Sequence, residues 1–241
     1  MKKLLIALLF APLASWASEE GYRLDRAPID PTDLVSLQAG ARTFVNYCMG
    51  CHGAEYMRYN RLTDLGLTEQ QIRDNLMFTA DKVGETMKVA MTAKQGKAWF
   101  GVAPPDLSVI ARARGADWLY TYLRTFYRDP KTASGWNNLV FPNVGMPHVL
   151  WTLQGEKALK VVKTEEGGHE KVEYQLTQLS KGSQDTVQYD TTVRDLVNFL
   201  VYLSEPSATS RVRIGIVVLF VLGILFVLSY ALKREFWKDV K

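Results

Sequence analysis

Apolar residues recur at helical spacing through Leu34, Leu37, Ala41, Phe44 and Val45 and predict a helix, capped by Thr32 or Asp33, that runs into Cys48. Leu62, Leu65 and Leu67 precede a short helix opened by Thr68, with Gln71 at capping-box spacing. From Asp81 to Ala98 the chain is rich in Lys, Gly and Met and reads as an irregular excursion. Gly101 to Ser108 cannot be regular, because Pro104 and Pro105 lack amide donors and force extended backbone on what precedes them. Asp106 or Ser108 then caps a helix carrying Val109, Ile110, Ala113 and Arg114, and Asp117 caps a second through Leu119, Tyr120, Leu123, Phe126 and Tyr127. Lys157 to Val162 and Lys171 to Leu176 alternate in polarity around the glycines of Glu165 to His169, the pattern of a small β-hairpin. Asp190 is the expected cap of a last domain helix with the stripe Val193, Leu196, Val197, Leu200 and Val201, which Glu205-Pro206-Ser207 ends.

Two segments fall outside this amphipathic pattern. Lys2 and Lys3, the apolar run Leu4 to Leu13 and the small-residue site Ser15-Trp16-Ala17 read as a cleaved signal peptide over residues 1–17. A retained membrane helix is the weaker reading, since ten apolar residues rise only about 15 Å in a helix, half of the hydrocarbon layer. Ile214 to Leu232, by contrast, holds 19 residues without a charge. As a helix that run spans about 28 Å, enough for one crossing. Tyr230 and Trp237 can anchor it at an interface, and Lys233, Arg234, Lys238 and Lys241 beyond it outnumber Arg211 and Arg213 before it. The expected layout is an exported domain over 18–210, an anchor over 211–232 and a cytoplasmic tail over 233–241.

Charge follows that layout. The chain as a whole carries a formal +4, yet residues 18–210 hold 21 Lys and Arg against 23 Asp and Glu. The basic excess belongs to the ends, and gives no support for nucleic-acid binding.

The only two cysteines stand in Cys48-Met49-Gly50-Cys51-His52, the spacing at which two thiols join one c-type haem and the next histidine binds its iron. A thioredoxin-like pair would follow a strand rather than a helix, and a structural zinc site would lack ligands. Export agrees with this reading, because bacteria attach such haem outside the cytoplasm. For the sixth iron ligand, Met49 is held in the attachment loop and Met57 follows His52 closely, while Met77, Met87 and Met91 are conceivable. Met146 has the best local setting, a loop stiffened by Pro142, Gly145 and Pro147, with His148 as its rival and His169 a more remote one. Arg112 and Arg114 are candidates to meet a haem propionate, since guanidinium matches carboxylate geometry.

Several separate features resemble the cytochrome c1 family, the membrane-anchored haem subunits of bacterial quinol:cytochrome c oxidoreductase complexes. They are Cys48 to His52 near the start of the mature chain, Ala103-Pro104-Pro105-Asp106-Leu107-Ser108 running into Ile110-Ala111-Arg112-Ala113-Arg114-Gly115, Phe141-Pro142 followed by Gly145-Met146, and the single C-terminal span. The resemblance implies a mainly α fold: a class I cytochrome c-like haem domain with inserted loops and a small β-hairpin, plus one transmembrane helix. It implies one covalent haem c on Cys48 and Cys51, iron ligated by His52 and Met146, Pro105 beside the cofactor, and Arg112 ahead of Arg114 at the propionates. It further implies electron transfer from a Rieske iron–sulfur protein to a periplasmic c-type cytochrome, beside cytochrome b, in a dimeric complex of the bacterial inner membrane. No substrate bond would be made or broken by this chain. The alternative is a membrane-tethered c-type shuttle or a haem subunit of a terminal oxidase, against which the size of the exported domain counts: a simple carrier needs roughly 80–120 residues.

Overall fold

The computed structural model describes residues 22–166 and 169–239. The expected signal peptide lies outside the described residues, as does the turn at 167 and 168.

Asp33 caps the first helix, α1 (Leu34–Thr43), its carboxylate accepting from the Val35 and Ser36 amides at 3.0 and 3.1 Å. The helix widens into a π turn over Phe44–Cys48, and the amides of Cys51 and His52 both donate back to the Cys48 carbonyl. The attachment pentapeptide is thereby wound onto the end of α1. Strand β1 (Ala54–Arg58) follows, then a 3-10 turn over Tyr59–Leu65 and α2 (Glu69–Asn75), which carries the full Thr68/Gln71 capping box.

The segment expected to be irregular is partly ordered. It contains β2 (Thr86–Met87), paired antiparallel with β1, and the start of α3 (Ala93–Phe100), opened by a second capping box from Thr92 and Gln95. Helix α3 buries only Gly96, so its sequence shows almost no apolar stripe. Helices α4 (Ile110–Arg114) and α5 (Ala116–Arg124) occur where expected, but α5 stops short of Phe126 and Tyr127, which lie in a strand, and Asp106, Ser108 and Asp117 do not cap them. Asp117 accepts from the Ala27 amide at 2.8 Å instead, which ties down the N-terminal segment.

Short strands β3 (Phe126–Arg128) and β4 (Trp136–Asn138), which the alternation pattern missed, pair antiparallel, and β3 also lies parallel to β5 at Arg128 and Ala158. After α6 (Trp151–Gln154), β5 (Gly155–Glu166) and β6 (His169–Lys181) form the expected hairpin, longer than its apolar alternation suggested. The last domain helix, α7 (Thr186–Ser204), begins at Asp185 with a Gln188 capping box rather than at Asp190. Asp190 is occupied by the Arg124 guanidinium, at 2.7 and 3.0 Å.

Helices α1 and α7 cross so closely that a Cβ on Gly40 would stand 2.0 Å from the Asp195 carbonyl oxygen. Phe44 meets Phe199 beside the crossing, with centroids 5.7 Å apart, and α5 joins through the Tyr189 hydroxyl, which donates to the Leu123 carbonyl at 2.8 Å. The fold is mainly helical, with a mixed four-stranded sheet attached. Beyond Glu205 the chain continues as α8 (Ala208–Phe236), 29 residues whose apolar side chains stay exposed. From Ser210 to Phe236 it is long and apolar enough to cross a bilayer.

Candidate functional site

The π turn presents Cys48 and Cys51 to one apolar cleft, which His52 also lines. Burial pushes the Cys48 thiol up to about 12, with neighbouring Cys51 adding to the effect, and burial also raises the Cys51 thiol, so both favour the neutral form. His52 Nδ1 lies 2.7 Å from the Pro105 carbonyl oxygen. A carbonyl can only accept, so Nδ1 carries the proton and Nε2 keeps a free lone pair. Burial lowers the His52 pKa, which holds the ring neutral and able to ligate, although the Pro105 bond and Asp106 oppose that shift.

The proline-rich stretch earns its sequence here. Leu107 N donates to the Gly53 carbonyl at 2.8 Å, Asp106 accepts from the Glu55 amide at 2.8 Å, and Ser108 Oγ accepts from the Tyr56 amide at 3.0 Å. Those bonds clamp the segment to the chain just after His52. Pro105, with no amide of its own to satisfy, directs its carbonyl at the imidazole.

Met146 lines the same cleft, with Gly145, Pro147 and Val149. Two buried asparagines hold its loop. Asn138 Oδ1 accepts from the Val140 and Phe141 amides at 2.8 and 3.2 Å while its Nδ2 donates to the Tyr122 carbonyl at 2.7 Å. Asn137 Oδ1 accepts from the amide of Asn143, a residue in the left-handed region at φ 61°. Gly145 approaches the end of α3, where a Cβ would lie 3.2 Å from the Phe100 carbonyl oxygen.

The rival ligand faces elsewhere. His148 is fully buried, stacked on Phe126 with centroids 4.8 Å apart, and its Nε2 is 2.8 Å from Gln154 Oε1. Burial is the main reason its pKa falls to about 4, so it sits neutral inside the domain. None of Met49, Met57, Met77, Met87 or Met91 lines the cleft, and the His169 side chain lies outside the described part. Arg114 lies over the rings of Trp118 and Phe141, at 5.1 and 5.7 Å, on the side of the methionine loop. Arg112 lines a separate groove where α7 meets α8, together with Arg61 and Arg213.

Reasoning from sequence missed Asn137, Asn138 and Tyr122, whose bonds support the Met146 loop. Only the adjacency of two asparagines ahead of the Phe141 loop hinted at them. The arrangement offers a thiol pair for two covalent links, a histidine with a free nitrogen and a thioether, all on one apolar cleft, which suits a flat apolar macrocycle bearing a metal.

The profile of the cytochrome C1 family matches residues 25–240. The chain belongs to the cytochrome c1 family. Among its relatives, a protein named ammonia monooxygenase gamma subunit from Nitrosomonas europaea is 51% identical over 240 residues, covering 100% of this chain and 98% of the relative. Cytochrome c1 of Allochromatium vinosum is 49% identical over 243 residues and the whole of both chains, and cytochrome c1 of Rhodospirillum rubrum is 28% identical over 87% and 83% of the two. Family membership and the Cys48-Cys51-His52 motif together make this a redox carrier of cytochrome c1 type with covalently bound haem c. It carries electrons rather than catalysing a bond change, and the one apolar span among the described residues holds it in the bacterial inner membrane with the haem domain in the periplasm.

Proposed function

We propose that this chain is the haem c subunit of a quinol:cytochrome c oxidoreductase, and that its iron is held between His52 and Met146. The haem, when bound, supplies a one-electron ferric/ferrous couple. Cys48 and Cys51 would fix the ring by thioether links, His52 Nε2 and Met146 Sδ would complete the coordination, and the buried cleft wall would keep water from the metal. Arg114 is the better placed of the two arginines for a propionate, because it sits beside the methionine loop. The electron donor would be a Rieske iron–sulfur protein and the acceptor a periplasmic c-type cytochrome, with cytochrome b as the membrane partner in a dimeric complex. We assign residues 18–210 to the haem domain, 211–232 to the anchor and 233–241 to the tail, after a leader over 1–17.

One observation carries the ligand assignment: His52 and Met146 line the same cleft while His148 is hydrogen-bonded and stacked away from it. Met146→Leu tests it. The substitution should abolish the weak sulfur-to-iron absorption at the red end of the oxidised spectrum and lower the reduction potential, because a thioether favours ferrous iron. An unchanged spectrum and potential would move the ligand elsewhere.

A second assembly has support from one relative. The Nitrosomonas europaea protein, 51% identical along its length, is named as a monooxygenase subunit. Under that reading the same haem would serve a different oxidase, and the proteins that co-purify with the chain decide between the two.

A further inference from the structure

We propose that Tyr122 tunes the haem by donating a hydrogen bond to the sulfur of Met146. The inference rests on Met146 as the iron ligand and goes beyond it. The Tyr122 hydroxyl lies 3.3 Å from Met146 Sδ, within hydrogen-bond range for sulfur. The ring is fixed on both sides: it stacks on Trp118 with centroids 4.7 Å apart and planes 13° apart, and meets Phe126 edge-on at 4.9 Å. Asn138 secures the backbone by donating to the Tyr122 carbonyl at 2.7 Å. The hydroxyl is therefore held in place rather than free to swing to water. A phenol keeps its proton across the physiological range, so the group remains a donor.

A thioether sulfur has two lone pairs, so one can face the metal while the other accepts from Tyr122. Donation to that second pair drains electron density from the sulfur. Ferric iron depends more than ferrous iron on electron donation from its ligands, so the bond favours the reduced state and raises the potential. Sulfur is a weak acceptor, and the expected effect is about threefold in the oxidised-to-reduced ratio at a fixed poise. At 59 mV per tenfold for one electron, that is about 28 mV.

Tyr122→Phe removes the hydroxyl and keeps the ring that Trp118 and Phe126 hold. In the full chain with haem attached, it should lower the potential by about that amount and displace the red-edge sulfur-to-iron band without abolishing it. Tyr120→Phe is the control: it removes another buried phenol from the same helix, one stacked against Arg124 rather than directed at Met146. It should leave both readings unchanged. The parent chain gives a measurement free of any variant, since exchange into D2O should shift the iron–sulfur vibration if the Tyr122 hydroxyl proton is directed at that sulfur. A Tyr122→Phe potential and band equal to the parent's, or no D2O shift, would overturn the inference while leaving Met146 as ligand. If Met146→Leu also changed nothing, the ligand assignment would fail and this inference with it.

Discussion

Gly40→Ala would place a methyl group inside the α1–α7 crossing that supports the haem motif. Its Cβ would stand 2.0 Å from the Asp195 carbonyl oxygen and 2.7 Å from the Phe199 Cβ, where ordinary contact begins at 3.4 Å. The nearest atom is backbone and cannot rotate away, so the helices must separate by about 1.4 Å. Separation also strains the buried bond from Ser36 Oγ to Asp195, 2.7 Å long, and the one from Asn198 Nδ2 to Ser36 Oγ, 3.0 Å long. Overpacking costs about 1–3 kcal/mol and a weakened buried hydrogen bond about 1–2. Alanine returns up to about 1 kcal/mol through its helix propensity and a less free unfolded chain. The net is about 3 kcal/mol, or roughly 6–12 °C in Tm for a domain of this size. The assay is thermal loss of the visible haem signal in the detergent-solubilised, haem-loaded chain. Gly84→Ala is the control, because nothing lies within 4 Å of its Cβ, and it should stay within about 0.5 kcal/mol of the parent. A Gly40→Ala Tm equal to the parent's, or a Gly84→Ala loss as large, would refute the close-crossing argument.

Cys48→Ala and Cys51→Ala should each leave at most one thioether, and a denaturing gel stained for haem peroxidase activity should show mature haem protein sharply reduced in both. Asn138→Ala removes a buried donor to the Tyr122 carbonyl and an acceptor for two part-buried loop amides, at about 3 kcal/mol. It should lower Tm by roughly 6–12 °C and weaken the red-edge sulfur-to-iron band as the Met146 loop loosens; a full-strength band at the parent's Tm would show that the loop is held by something else.

What the sequence made legible was local. The haem pentapeptide, the 19-residue apolar run and the Thr68/Gln71 box each lie within a short window, and each occurs where expected. Strands β3 and β4 are three residues long, too short for alternation to register. Asp190 looked like a cap because it precedes an apolar stripe. Its partner, Arg124, lies 66 residues earlier, and no window holds both. Helix α3 faces solvent along most of its length, so its only strong signal was the capping box at Thr92, masked by the surrounding lysines. The site divides the same way. Cys48, Cys51 and His52 fall within one pentapeptide, whereas Pro105 is 53 residues from His52, and Tyr122 is 24 from Met146. The proline- and glycine-stiffened loop alone favours Met146 over His148; what the sequence could not show is the packing that sends His148 toward Phe126 and Gln154.

The haem content of whatever assembly holds this chain tests the central claim most directly. A tag placed after Lys241 allows purification in mild detergent, followed by reduced-minus-oxidised spectra that count b-type and c-type haem separately. As an electron-transfer subunit of a quinol-oxidising complex, the chain should recover b-type haem at about two per c-type haem, with a Rieske iron–sulfur signal in the same preparation. Recovery of c-type haem alone, with quinol oxidation left behind in the membrane fraction, or co-purification with a monooxygenase instead, would contradict it.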